Sequence, residues 1–344
     1  MKQMNCMKNF ITVIFSVIVI ILISGTVFMF VGCSDDDESP TGSVENDVSS
    51  CSACHNVSTD IFAIKIQYEA SVHATGGNFE RNGTLCAPCH TSEGFREVLT
   101  TGSDVTESII NNPTPPNCRT CHNLHTNYDY SDYTLASVNP VQLRINGETV
   151  DIGSGNLCVN CHQPLMPSPL PSVGGDDITI TSPYWGPHHG TQASILSGSG
   201  GYEISGAVPY TSSLHGTAIN DGCITSHMAT AYGNQAGGHT MNMAYNYHGN
   251  PTPNTAGCKS CHTDLATFDY NGIQTEVQLL LDELKNLLLE NNVIEDTGHP
   301  VIGKVSVDKA GTLMNYLMII NDGSYGVHNP GYTKALLQNS IEVF

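Results

Sequence analysis

Two cysteines three residues apart, with a histidine directly after the second, occur five times in this chain. The copies are Cys51-Ser52-Ala53-Cys54-His55, Cys86-Ala87-Pro88-Cys89-His90, Cys118-Arg119-Thr120-Cys121-His122, Cys158-Val159-Asn160-Cys161-His162 and Cys258-Lys259-Ser260-Cys261-His262. With 13 Cys and 15 His among 344 residues, chance placement gives roughly 0.02 copies, so the spacing itself carries information. It is the arrangement on which haem becomes covalently attached: the two thiols add to the vinyl groups and the histidine takes one axial position on iron. Three residues past His122, His125 lies about one turn away and can aim at a different iron.

A further stretch, Cys223-Ile224-Thr225-Ser226-His227, matches the motif everywhere except that serine replaces the second cysteine. A haem there would be held by Cys223 and axial ligation from His227, with no second thioether, or the site would carry none. The chain thus has five complete haem c sites and a candidate sixth at Cys223 and His227.

An iron closed on both faces needs a second donor. Fifteen histidines less six proximal positions leave nine, of which His73, His125, His188, His189, His215, His239 and His328 are candidate distal ligands. Seven candidates for at most six irons allow every iron to be six-coordinate, with no open place for substrate, which suits the passing of single electrons. His73 follows apolar residues at helical intervals, Ile61, Ile64, Tyr68 and Val72, so a helix over Asp60–Ser71 is expected to deliver it. Glycines beside His188-His189, His215 and His239 permit close backbone approach to a flat cofactor. Adjacent side chains of an extended segment point to opposite sides, so His188 and His189 can serve different irons. His248 reads equally as a surface loop residue, and His299 as part of a turn.

Composition suits a fold built around cofactors. The chain is 7% aromatic, with 33 Gly and 17 Pro, which predicts a mainly α protein with much irregular loop structure, packed around covalent haems and ending in C-terminal helices. Residues around Val141-Gln142-Leu143 alternate like a short strand. Near the C-terminus, Thr275 with Gln278 reads as a capping box, opening a helix whose stripe is Val277, Leu280, Leu281, Leu284, Leu287 and Leu288. A second helix is expected over Val307–Ile320, and a third from Asn329-Pro330 towards Glu342. The expected organisation is a signal peptide or membrane anchor over 1–32, an acidic tether over 33–50, a multihaem domain over 51–270, and a helical segment over 271–344 packing on it.

Lys2 and Lys8 precede an unbroken apolar run from Phe10 to Gly32, which places the remainder outside the cytoplasm. A net charge of -20, with 12 basic and 32 acidic residues, excludes nucleic acid as a partner, because phosphate binding needs clustered Lys and Arg. It favours cationic partners or oxidised metals.

Several stretches carry a resemblance. Phe30-Val31-Gly32-Cys33 before an acidic run resembles a bacterial lipoprotein signal, which implies lipidation of Cys33 and membrane attachment; the plain helical anchor stays open. Ser71-Val72-His73 ahead of Cys86-Ala87-Pro88-Cys89-His90-Thr91-Ser92-Glu93-Gly94-Phe95 resembles a family of bacterial multihaem c-type cytochromes. Gly237-Gly238-His239-Thr240-Met241 is similar to what trails the degenerate motif in such proteins, which implies a retained sixth haem. Gly326-Val327-His328-Asn329-Pro330-Gly331-Tyr332 looks like their C-terminal element, which implies that His328 is an axial ligand. The resemblance extends to extracellular electron-transfer cytochromes. It implies redox proteins or external electron acceptors as partners, a cell-envelope location at the outer membrane, the surface or the periplasm, and a homo-oligomer or filament as one form.

Two other chemistries use the same residue types. Zinc sites and disulfides do not require a histidine after every second cysteine. A reductase of nitrite, hydroxylamine or a sulfur oxyanion would need one five-coordinate haem, for which the Cys223 site is the candidate. No basic cluster marks an anion pocket.

Overall fold

The computed structural model describes residues 59–344 except Gly77; the expected leader, the tether, Cys33 and the first motif with Cys51, Cys54 and His55 lie outside the described residues. The described chain is mainly helical, with long irregular loops and three two-stranded sheets. No helix among the described residues is long and apolar enough to cross a membrane.

Three long helices near the C-terminus carry the apolar core. To keep one numbering, α1 is Thr59–Glu69, α2 Val72–Thr75, α3 Ala87–His90, α4 Ser92–Thr101, α5 Cys118–Cys121, α6 Asn156–Val159, α7 Gln192–Ser197, α8 His215–Ala218, α9 Gly222–His227, α10 Ile273–Glu290, α11 Val307–Asp322 and α12 Pro330–Ile341. The strands are β1 Val141–Gln142, β2 Thr149–Val150, β3 Ile178–Ile180, β4 Ala244–Tyr247, β5 Asn250–Pro253 and β6 Gly303–Val305. On α10 the expected stripe turns inward, with Val277, Leu281, Leu284 and Leu288 buried. They join Leu313 and Ile319 of α11 and Leu336 of α12 in one cluster with Leu143, Ile180, Trp185 and Ile195. The antiparallel pairing of β3 with β6, Ile178 opposite Val305, ties the two regions together. Residues on both sides of position 270 therefore share a single core.

Two polar networks bind a loop to this core. The Asn315 side chain accepts from Tyr202 N and donates to Tyr202 O and Ser340 Oγ at 2.7–3.0 Å. The Tyr332 hydroxyl accepts from Gly201 N and donates to Glu203. Such completed networks avoid the penalty of burying an unpaired amide and fix the loop at 201–203 on the helices.

Three expectations about local structure are refined. The helix leading to His73 ends at Glu69, and Ser71 restarts the chain by capping α2, accepting from Ala74 N, so His73 rides on its own turn. Thr275 does not cap α10. Asp269 does, its carboxylate accepting from Gln274 N, Thr275 N and Thr275 Oγ1, because an oxygen ahead of the first turn can reach the free N–H groups and one inside it cannot. The alternation near Val141 yields only β1, paired with β2. The third C-terminal helix starts as expected, with Asn329 as cap and Pro330 in the first turn.

Candidate metal centres

The spacing of the motif follows from one helical turn. In each of the four intact motifs described, the histidine N–H donates to the carbonyl of the first cysteine, four residues back, at 2.8–3.1 Å. Residues i, i+3 and i+4 then lie on one face, so both thiols and the imidazole point the same way. The first cysteines of two motifs open the short helices α5 and α9, Cys118 at the first residue and Cys223 at the second. An Asn117–Thr120 capping box secures α5.

Every described motif histidine faces a histidine from elsewhere in the chain. His90 meets His188 with ring centres 6.0 Å apart, His122 meets His239 at 6.3 Å, and His162 meets His73 at 5.9 Å. His262 meets His215 at 6.3 Å, and His227 of the degenerate motif meets His328 at 6.3 Å. An imidazole nitrogen bonds a first-row metal at about 2 Å and lies roughly 1.2 Å from its ring centre, so rings on opposite sides of one metal have centres about 6.3 Å apart. The five separations fall on or just below that value. Rings in direct face-to-face contact lie nearer, as Tyr232 and Tyr245 do at 3.9 Å.

Hydrogen bonds fix which nitrogen six of the ten rings present. His122 Nδ1 donates to Tyr133 O at 2.7 Å, His215 Nδ1 to Val327 O at 2.6 Å, and His227 Nδ1 to Met241 O at 3.2 Å. His162 Nδ1 meets Gln192 Oε1 at 3.2 Å, His73 Nδ1 meets Met241 Sδ at 3.1 Å, and His328 Nδ1 donates to Asp322 Oδ1 at 2.6 Å. With Nδ1 so engaged, Nε2 is the atom free to bond a metal, which is the usual outer-shell arrangement of a ligating histidine. Burial lowers the pKa of His162, His227, His90, His188 and His239, and takes His73 down to about 4. These rings are neutral at pH 7, as ligation requires. In His328 burial acts in the same direction, but the charge and hydrogen bond of Asp322 prevail and hold it above the ordinary value.

The residues fit an iron porphyrin better than a bare ion. Among the described residues no group of three or more His, Cys, Asp or Glu is placed to hold a metal, so each pair offers two protein donors and the remaining positions need a macrocycle. The chain also lacks apolar filling where the motifs are dense. Between residues 59 and 140 the buried hydrophobic side chains are Ala87 and Phe95, and between 203 and 272 only Ala236. Val72 and Leu214, each just before a paired histidine, are 69% and 74% exposed. A porphyrin face offers apolar area that such segments can cover. The nine described cysteines are free thiols, all of them in motifs or at Cys223.

Contacts link the pairs to one another. The Cys89 and Cys161 thiols are near enough to shift one another's ionisation, lowering Cys89 and raising Cys161, and Cys223 and Cys158 do the same. These contacts run between motifs, and Cys161 Sγ also lies 3.7 Å from Pro88 O. One turn, 237–241, serves three pairs: His239 faces His122, the Met241 sulfur meets His73, and the Met241 carbonyl meets His227. Gly237 and Gly238 begin this turn at φ of 68° and 50°, and a Cβ on Gly237 would lie 2.6 Å from the carbonyl oxygens of Ala229 and Thr230, so the turn needs glycine there for both conformation and clearance. Val327, the partner of His215, is adjacent to His328, which joins the His262 and His227 pairs.

Two candidate ligands have other surroundings. His189 Nδ1 meets Asn321 Oδ1 at 2.9 Å on an exposed side of the chain, next to His188 and not against a motif histidine among those described. His125 takes a positive φ of 61° and stacks on Tyr128 at 5.8 Å, in a loop whose N–H groups converge on buried Asp132. His299 engages Pro183 O and Tyr184, in keeping with a turn. Gln192, Met241 and Asp322 were not legible as site residues, because their positions beside Nδ1 atoms depend on long-range packing that no periodicity encodes.

No family model matches this chain, and no curated protein does. Among solved structures, the outer cell wall cytochrome OcwA aligns with a TM-score of 0.49 at 19% identity, covering 80% of this chain and 49% of that one. The chain spans about half the length of that protein.

Proposed function

We propose that this protein is a multihaem c-type cytochrome that relays single electrons between sites ligated by two histidines. The observation that carries this reading is the pairing of all five described motif histidines with histidines from elsewhere, at 5.9–6.3 Å. Haem, bound through the motif thiols and these rings, supplies a one-electron couple at iron. Cys86 and Cys89, Cys118 and Cys121, Cys158 and Cys161, and Cys258 and Cys261 would hold it by two thioethers each, as would Cys51 and Cys54 by sequence, and Cys223 by one. The paired imidazoles would hold the iron from two sides and would favour its oxidised state more than a His/Met pair.

The inter-pair contacts support a branched relay. The His73/His162 pair lies at its centre, reached through Cys161 from the His90/His188 pair and through Met241 from the His122/His239 and His227/His328 pairs. His215/His262 follows from the last of these. A reductase would need an iron open on one side, and each described motif histidine has a second ring opposite it. The acidic surface, the apolar N-terminal run and Cys33 favour an exported protein held at the envelope, passing electrons to a cationic partner or oxidised external acceptor. A filament of copies is a further form of the same reading.

Intact mass of the mature protein, with a pyridine haemochrome assay, tests the haem content. Five or six thioether-bound haems are expected; free or disulfide-bridged thiols and a colourless protein overturn the proposal. Electron paramagnetic resonance tests the ligation. All components should be low-spin and of two kinds, because ring planes are 86–90° apart at His73/His162 and His215/His262 and 32–41° apart at the other three pairs. A stoichiometric high-spin component would favour the reductase.

A further inference from the structure

The site with the weakest covalent attachment has the strongest axial donor opposite it. At the degenerate motif, Ser226 leaves Cys223 as the one thiol, and the ring facing His227 is His328. Of the described paired histidines, His328 alone has its Nδ1 against a carboxylate: Asp322 Oδ1 lies 2.6 Å away, on a side chain 1% exposed. The other Nδ1 partners, Tyr133 O, Val327 O, Met241 O, Gln192 Oε1 and the Met241 sulfur, are neutral.

Local preference does not explain Asp322. It is the last residue of α11, where the helix dipole disfavours a negative charge, and burial adds a desolvation cost. Three interactions hold it there. Its Oδ2 accepts from Ser324 N and from Ser324 Oγ, and its Oδ1 accepts from His328 Nδ1. Gly323 follows at φ 70°, turning the chain so that His328 comes back over the helix end, and His328 N donates to Ser324 Oγ. A residue placed against its local rules and fully engaged with a candidate ligand points to function at that ligand.

Resting on the cytochrome reading above, we infer that Asp322 is a positioning residue that locks His328 with Nε2 towards the metal, makes it the most electron-rich donor of the paired set, and sets the His227/His328 site at the lowest potential. A strong hydrogen bond from Nδ1 to an anion raises the basicity of Nε2, and a more basic donor stabilises ferric over ferrous iron. The same effect strengthens axial attachment where one thioether is missing. No proton need leave the pair, since the hydrogen bond acts in both oxidation states.

The test is an optical redox titration of the holoprotein with Asp322→Asn and, as a structural control, Ser324→Ala. Asn keeps the shape and removes the charge. The expected result is an unchanged haem count by mass, with the lowest wave displaced upward by tenfold to a hundredfold in the oxidation equilibrium, about 59 mV per tenfold for one electron. Ser324→Ala loosens the same turn but leaves the carboxylate charge beside His328, so that wave should move less than in Asp322→Asn. Waves unmoved in Asp322→Asn, or moved equally in Ser324→Ala, overturn the inference. The unmodified protein offers a second check that needs no variant. Its last component to be reduced must be of the smaller-angle kind, because His227 and His328 are 41° apart; a near-perpendicular component reduced last overturns the assignment. A protein without thioether-bound haem shows no waves at all, which would mark failure of the underlying reading and not of the role of Asp322.

Discussion

Replacing His188 and His189 one at a time by alanine separates two neighbours that the sequence treats alike. The His188 ring lies 6.0 Å from that of His90 with planes 32° apart, so a metal between them would reach a nitrogen of each ring after an adjustment of a few tenths of an ångström from the ideal of about 6.3 Å. The His189 ring is turned to Asn321 at 2.9 Å. On the cytochrome reading, His188→Ala would leave the iron one imidazole and a position open to water, and the weaker field would make that site high-spin. One in five of the described pairs is affected, so the low-spin signal should fall by one haem equivalent while the mass still shows every haem attached. Imidazole added at about 1 mM, a concentration that a ligation energy of about 4 kcal/mol would suffice to saturate by half, should restore the low-spin state, since the space vacated has the shape of the ligand removed. His189→Ala should leave the spin state unchanged. The assay is quantitative electron paramagnetic resonance with spin counting at matched haem concentration. A fully low-spin His188→Ala protein, or a high-spin signal in His189→Ala instead, would refute the pairing.

Other perturbations reach different parts of the assembly. Ser226→Cys should complete the degenerate motif, and the pyridine haemochrome band should move to shorter wavelength by one haem's share, because a second vinyl group becomes saturated; an unchanged band would mean that this position does not meet the vinyl carbon. His239→Met should raise the potential of the His122 site by on the order of 0.1 V, within the span of about 0.8 V that axial ligands command, and titration of the remaining waves should show them nearly unmoved. Asn329→Ala removes the cap of α12 together with a bond from Ser213 N, at 3.0 Å, in a fully buried setting. A loss of about 2–4 kcal/mol is expected from a cap and an unsatisfied buried donor together, read as a lower midpoint in denaturant, and a change within 0.5 kcal/mol would count against that role.

How far the sequence reached differs from element to element. The CxxCH spacing needs only one helical turn to become a three-point attachment, so four described copies form the local structure their sequence specifies. The stripe on α10 and the Asn329-Pro330 start of α12 were equally local, and both appear as read. Thr275 was read as a cap because the three-residue spacing to Gln278 satisfied the pattern; Asp269, farther back across a turn, reached the N–H groups first. His73 was placed on the end of a helix that in fact stops two residues before a second cap.

The amino-acid sequence by itself determined where thiols and proximal imidazoles lie together, because covalent spacing within a single turn admits one arrangement. It also supplied enough other histidines to set one against each described motif histidine. Which of them meets which motif was decided by tertiary structure alone. His73 reaches His162 and His328 reaches His227 only after the chain has folded back on itself, and nothing periodic in the intervening residues records the length or direction of that return. The same holds for Asp322, whose value as a partner of His328 arises from a turn at the end of α11 and from the burial that makes its charge count.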